Sequence, residues 1–170
     1  MKVRKAKPKD KKQIIELITE VDNLFVPPLH DRDSYEGYYK YTVCENPEYI
    51  KKHYNFDKYP EKHISYIAKH RDEVIGYCSA FTKFELINDA HCSTGMISKK
   101  YQGMGIIKKL LKKILKDLEK NGASSVSTQT WSTNVSVIKV LYDFNFKIYR
   151  TVPNERAPEI DGLYLIKKFH

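Results

Sequence analysis

The chain has 170 residues, of which 41% are hydrophobic and 30% charged, with 30 Lys and Arg against 21 Asp and Glu. That is one domain's length, and the composition excludes a disordered or collagen-like chain. No apolar run approaches the roughly 20 residues that span a bilayer. The net charge of +9 either attracts polyanions or records lysines on solvated faces. Lys108, Lys109, Lys112 and Lys113 fall on the polar face of one helix, which favours the second reading. Cys44, Cys78 and Cys92 are odd in number and lack CxxC spacing, so they read as reduced thiols of a cytoplasmic protein rather than as disulfides or zinc ligands. The basic start, Met1 to Lys7, is followed by no apolar segment of a secretory signal.

No repeat, linker or low-complexity tract divides residues 1–170, so a single domain is expected. Val3 to Lys7 suits a short strand, and Asp10 a cap for the helix carrying Ile14, Ile15, Leu17, Ile18 and Val21. Pro27-Pro28 stops that helix. Residues 29–62 are weakly periodic and crowded with tyrosines, among them Tyr35, Tyr38, Tyr41, Tyr49, Tyr54 and Tyr59. Such a segment suits helix and loop over a site, or a half-buried layer covering a sheet. His63–His70 and Val74–Phe84 read as a hairpin, and Ala90–Ser98 as a third strand. Ile106, Ile107, Leu110, Leu111, Ile114, Leu115 and Leu118 then mark an amphipathic helix stopped by Asn121-Gly122. Ser125–Trp131 alternates as a strand. Asn134 opens a helix that Asn145 closes, and Phe146–Val152 and Leu163–Phe169 are strands joined by a Pro-containing loop. The order predicts an α/β fold, with a mixed sheet of about seven strands covered by helices on both faces.

The richest stretch is Ile97-Ser98-Lys99-Lys100-Tyr101-Gln102-Gly103-Met104-Gly105-Ile106-Ile107. A strand ends, two glycines turn the chain, and a helix begins. Glycines allow close approach of backbone to a ligand, and unpaired N–H groups at a helix start favour a phosphate or diphosphate. Neither Gly-Lys-Ser/Thr nor G-x-G-x-x-G is present.

Together with the order of elements, this stretch resembles the GNAT acetyltransferase superfamily. Its core motif, Arg/Gln-x-x-Gly-x-Gly/Ala, is read onto Gln102, Met104 and Gly105, and its later motif, N-x-x-(A)-x-x-x-Y-x-x-x-G-F, onto Asn134, Tyr142 and Phe146. The motifs cover Ala90 to Val152. Two residues depart: Ile107 stands where the core motif ends in a small residue, and is expected to crowd a diphosphate, while Asn145 replaces a glycine.

The resemblance implies acetyl-CoA as co-substrate and direct attack by a primary amine. Two parallel strands, ending near Ile97 and Trp131, would part to admit the pantetheine arm. Backbone of Ile97 and Ser98 would pair with that arm, and an N–H near Ile97 would polarise the acetyl carbonyl. Amides of Gly103, Met104, Gly105, Ile106 and Ile107 would hold the diphosphate, Gln102 belonging to the same motif, and Asn134 would add a side-chain contact. Tyr142 is the implied donor to the departing thiolate. Among Glu85, Asp89 and His91, only His91 has an ordinary pKa suited to a base near neutrality; ordered water is the competing route. The other histidines lack metal-ligand spacing, so no metal site is expected. Trp131 fits either an acceptor pocket or the core.

The run Thr128 to Asn134 is similar to members that acetylate nucleotide-linked amino sugars, and a basic protein suits an anionic acceptor. Acetylation of a protein or peptide amine is the alternative, and a basic nucleic-acid-binding module without catalysis is the competing class. Members of the family are monomers or dimers, so a homodimer is left open.

Overall fold

The computed structural model describes residues 1–45, 62–82 and 89–169. Seven strands are present: β1 (Lys2–Lys5), β2 (Lys62–His70), β3 (Glu73–Thr82), β4 (Asp89–Ile97), β5 (Ser125–Trp131), β6 (Lys147–Ala157) and β7 (Ile160–Lys168). Among the described residues four α-helices accompany them: α1 (Lys11–Val21), α2 (Tyr35–Thr42), α3 (Ile106–Lys120) and α4 (Val135–Asp143). The strands form one sheet in the order β1-β2-β3-β4-β5-β7-β6. Every pairing is antiparallel except β4 with β5. Tyr49, Tyr54, Tyr59 and Glu85 lie outside the described residues.

The sheet carries a core on each face, as the two helical periodicities predict. On one face α3 lays Ile106, Leu110, Leu111, Ile114, Leu115 and Leu118 against Ile75, Cys78 and Ala80 of β3, and Leu141 and Phe146 extend the cluster. Burying each Leu or Ile here is worth about 1.5–3 kcal/mol, far more than helix propensity supplies. On the other face α1 and α2 bring Ile14, Leu17, Ile18, Tyr38 and Tyr41 onto Tyr77 and Phe81. Apart from Glu73, β3 is buried along its whole length, as suits a strand covered on both sides.

Three local expectations change. Asp10 does not cap α1 with its side chain; its carboxylate accepts the Lys7 amide at 2.8 Å and is gripped by Arg4 at 2.7 Å. That guanidinium holds the Asp10 carboxyl below its usual range. Asn134 occupies the N-cap of α4 without a capping bond; its Nδ2 donates to Thr130 Oγ1 at 3.1 Å. The expected Pro-containing loop is instead the end of β6, which runs through Pro153 to Ala157 with an irregular register. β6 is an edge strand, where proline's missing N–H costs no ladder bond. Asn145 closes α4 as expected, at φ 63°, while the Phe146 amide reaches back to the Leu141 carbonyl at 3.1 Å.

Candidate active site

β4 and β5 pair in register only from Asp89↔Ser125 to Cys92↔Thr128. Beyond that point β4 continues to Ile97 and β5 to Trp131 without pairing each other. Each keeps its outer neighbour, β3 for β4 and β7 for β5. The wedge between them opens a cavity of about 620 Å³, within the range of small-molecule sites. A second hollow of about 650 Å³ lies between α1 and the β2–β3 turn. There Glu20 is already engaged by Ser98 Oγ and the Lys99 amide, and no parted strands adjoin it.

At the mouth of the wedge the chain turns through Gly103 and Gly105, at φ 76° and 70°. L side chains rarely adopt this region, and a Cβ at either position would meet nothing within 4 Å. The glycines thus leave open space before the bend. Gly105 is the N-cap of α3 and offers no side-chain cap. Among the described residues, the amides of Gly103 to Ile107 donate to no backbone carbonyl. These orphan donors and the helix dipole make a seat for an anion. Gln102 straps the turn, its Nε2 donating to the Ile97 carbonyl at 3.1 Å.

Ile97, Gln102, Gly103, Gly105, Ile106, Ile107, His91 and Asn134 all line the cavity, whereas Ser98, Met104 and Tyr142 do not. Ser98 is committed elsewhere: its amide donates to the Ile75 carbonyl at 3.0 Å and its hydroxyl to Glu20. The Met104 side chain is exposed, so only its backbone belongs to the bend.

The placement of Tyr142 is corrected by one residue. The later motif sets its tyrosine seven residues after Asn and five before Phe, which from Asn134 and Phe146 is Leu141. Leu141 is 6% exposed and lines the cavity, whereas Tyr142 is 50% exposed. Among the described residues the phenols that line it are Tyr38, Tyr41 and Tyr101. Tyr38 donates to Thr94 Oγ1 at 3.1 Å, and burial raises its pKa, so it stays protonated.

His91 also departs from expectation. It sits where β4 and β5 still pair, opposite Ser127, and its Nδ1 lies 2.9 Å from Ser127 Oγ. Burial lowers its pKa to about 4, which removes the near-neutral basicity that recommended it. Cys78 and Cys92 line the cavity as protonated thiols, burial pushing Cys78 to about 12 and Cys92 well up. Such thiols are poor nucleophiles. Ile107 does not fill the bend as expected: its side chain lies over Gly95, where a Cβ would come 2.9 Å from Ile107 Cδ1. The missing side chain of Gly95 makes room for the branched residue.

Sequence reasoning left Trp131 undecided and overlooked Phe25, Arg32 and Arg156. Trp131 lines the cavity, its ring 5.9 Å from that of Phe25. Nothing in the local pattern could place Arg32 and Arg156, 124 residues apart, in one cavity.

A sheet opened between two parallel strands, with an anion seat at the adjoining helix start, defines a site for an elongated ligand with a phosphate-bearing end. The model of the acetyltransferase (GNAT) family matches residues 10–146, and the chain belongs to that family of enzymes. No curated sequence matches the chain. Among solved structures it is similar to a ribosomal-protein-alanine N-acetyltransferase from Brucella melitensis, at 15% identity and TM-score 0.73 over 99% of this chain and 100% of that one. It is also similar to an aminoglycoside 6'-acetyltransferase type Ii, at 16% identity and TM-score 0.71 over 99% and 97%. An acetyltransferase from Salmonella typhimurium, solved with its cofactor acetyl-CoA, superposes with TM-score 0.68 at 12% identity over 100% and 94%. These likenesses establish a shared fold.

Proposed function

We propose that the chain is an N-acetyltransferase that takes the acetyl group of acetyl-CoA and passes it to a primary amine of a small acceptor. The observation that carries this reading is the parting of β4 and β5 beyond Cys92 and Thr128, beside a glycine bend with open space before it. These residues fit the cofactor. The amides of Gly103, Met104, Gly105, Ile106 and Ile107 would bind its diphosphate, backbone near Ile97 would lie along its pantetheine arm, and Asn134 would contact it from α4. Gln102 positions the bend by holding the Ile97 carbonyl. Ser98, whose amide is spent on Ile75, has no part in this arrangement.

Acetyl-CoA supplies an activated thioester carbonyl. The protein binds, orients and excludes water, and a main-chain N–H near Ile97 would stabilise charge on the carbonyl oxygen. Direct transfer to the amine is favoured because the cavity's thiols are held protonated. Among the described residues no carboxylate lines the cavity, and His91 is too weak a base, so the amine's proton leaves through water. The net charge of +9 disfavours a polycationic acceptor, since like charge slows encounter. The finer reading is an anionic acceptor such as a nucleotide-linked amino sugar, and its rival is a peptide amine. The free thiols Cys44, Cys78 and Cys92 suit the reducing cytoplasm, where acetyl-CoA is available. Among the described residues no helix is long and apolar enough to cross a membrane.

The test is a thermal shift with acetyl-CoA, followed by thiol release from acetyl-CoA across UDP- and TDP-amino sugars, small amines and peptides. Stabilisation by acetyl-CoA and turnover with a small amine are expected. No stabilisation by acetyl-CoA overturns the reading.

A further inference from the structure

Part of the cavity wall is made of aromatic rings drawn from separate segments. Phe25 stands 5.9 Å from Trp131 and 6.4 Å from Tyr38, and Tyr38 is 5.6 Å from Tyr41, centroid to centroid. Two guanidinium groups enter this apolar wall. Arg32, in the segment before α2, donates from Nη2 to the carbonyls of Val26 and Pro27 at 2.9 and 3.0 Å. Its guanidinium carbon lies 5.9 Å from the centroid of Phe25. Among the described residues no carboxylate comes within ion-pair distance of it. Arg156, near the end of β6, donates from Nη2 to Gln129 Oε1 at 3.0 Å, and its side chain is only 14% exposed. Its Nε is buried without any hydrogen-bond partner. Glu155 Oε2 forms an ion pair with that Nε at 3.7 Å, too long for a hydrogen bond, and Glu155 also accepts the Tyr164 hydroxyl.

A sequestered guanidinium with a donor left over is costly to the folded protein, since buried charge is tolerated when it is paired and hydrogen-bonded. Both arginines act on one place: their positive charges oppose the rise in pKa that burial gives Tyr38. Glu155 pairs with Arg156 alone, from outside the lining. Two cations beside one phenol, with no acidic side chain among the described lining residues, make this part of the wall positive and partly desolvated. Guanidinium forks match the planar oxygens of carboxylate and phosphate.

We infer that the acceptor is a primary amine that carries its own anionic group, a carboxylate or a phosphate ester, bound by Arg156 and Arg32 while its body lies against Phe25 and Trp131. This deepens the reading of the site as an acetyltransferase and rests on it. The anion fixes one end of the acceptor, and the amine is thereby aimed along the wedge between β4 and β5.

The test uses acceptor pairs with and without the anionic group: phenylalanine against phenylalaninamide for the carboxylate, and glucosamine 6-phosphate against glucosamine for the phosphate. The preferred arm tells the two sources apart. In that arm the anionic member is expected to show a KM about 10–100-fold below its neutral partner, the range one charge-assisted hydrogen bond supplies. Arg156→Gln and Arg32→Gln should each erase most of that difference, bringing the anionic member's KM towards that of its neutral partner. As a readout independent of turnover, phenyllactate and glucose 6-phosphate, which lack the amine, should raise the melting temperature of the wild type in the preferred arm and not that of the variants. Retention of the acetyl-CoA thermal shift shows that each variant is folded. Equal KM values within both pairs, or variants that raise KM for both members alike while that shift persists, overturn the inference. If acetyl-CoA fails to stabilise the wild type, the acetyltransferase reading falls, and the amine-free anions still decide whether the arginines form an anion site.

Discussion

Gly105→Ala and Gly122→Ala form a controlled pair. Both glycines hold positive φ, 70° and 82°, and at both a Cβ would meet nothing within 4 Å. The intrinsic penalty is therefore alike, about 1–2 kcal/mol for an L residue in the left-handed region. In a domain of this size that lowers the melting temperature by roughly 2–8 °C in each variant. The two differ in what the space is for. Gly105 faces the cavity mouth, whereas Gly122 ends α3 and does not line the cavity. A methyl group at Gly105 would stand where the diphosphate is proposed to sit, and losing one charge-assisted hydrogen bond of about 2 kcal/mol weakens acetyl-CoA roughly 30-fold. At a concentration 100 times the wild-type Kd, acetyl-CoA stabilises wild type and Gly122→Ala by about 2.7 kcal/mol. Gly105→Ala would gain only about 0.9 kcal/mol by the same relation. Calorimetric titration and thermal melts with and without acetyl-CoA measure both quantities. Equal Kd values in the two variants would refute the placement of the diphosphate at this bend.

Tyr142→Phe should leave turnover within twofold of wild type, because the hydroxyl removed does not line the cavity; a fall of tenfold or more in steady-state rate would restore it as the acid. For His91, burial lowers the folded pKa to about 4 from 6.5, so the unfolded chain binds the proton that the folded chain refuses. Its neutral form therefore costs nothing above pH 6.5, and stability on the order of 3 kcal/mol drains away as pH falls from 6.5 to 4. His91→Gln should flatten urea-unfolding free energy across that window, and an unchanged slope would contradict the burial argument. Gly95→Ala should push Ile107 Cδ1 from its seat and weaken acetyl-CoA binding severalfold. Ile107→Ala in the same chain should recover most of the loss by calorimetry, a coupling that independent sites would not show.

The parts of the site that were legible in the sequence are those made by consecutive backbone. Gly103 and Gly105 announce a bend because few other residues accept their φ. Asn145 announces a helix end for the same reason, and the apolar rows of α3 fix which face meets the sheet. Tyr142 lies off the cavity while Leu141 lines it, because a helix turns about 100° per residue and a step of one position exchanges a buried direction for an exposed one. Ile107 looked obstructive because the residue that accommodates it, Gly95, lies on another element. The acceptor end was hidden for a stronger reason. Trp131 and Arg156 come together through the sheet order, which sets β5, β7 and the edge strand β6 side by side, while Phe25, Arg32 and Tyr38 arrive from the segment between α1 and α2 and from α2 itself, and no short motif encodes that closure.

The groups that line this cavity also bear on how such an enzyme would work. Its imidazole is neutral, its two thiols are held protonated, and among the described residues it has no lining carboxylate. On the proposed reading, rate enhancement comes from orientation and from fixed main-chain dipoles rather than from a titrating base, and orientation alone is worth about 7–11 kcal/mol in favourable cases. The pH dependence of kcat/KM should then belong to the acceptor. Its rising limb should follow the amine's own ionisation, moving up or down in step when the acceptor is exchanged for one of different basicity. A rising limb that stays at one pH for amines whose pKa values differ by two units would mean that a protein group takes the proton.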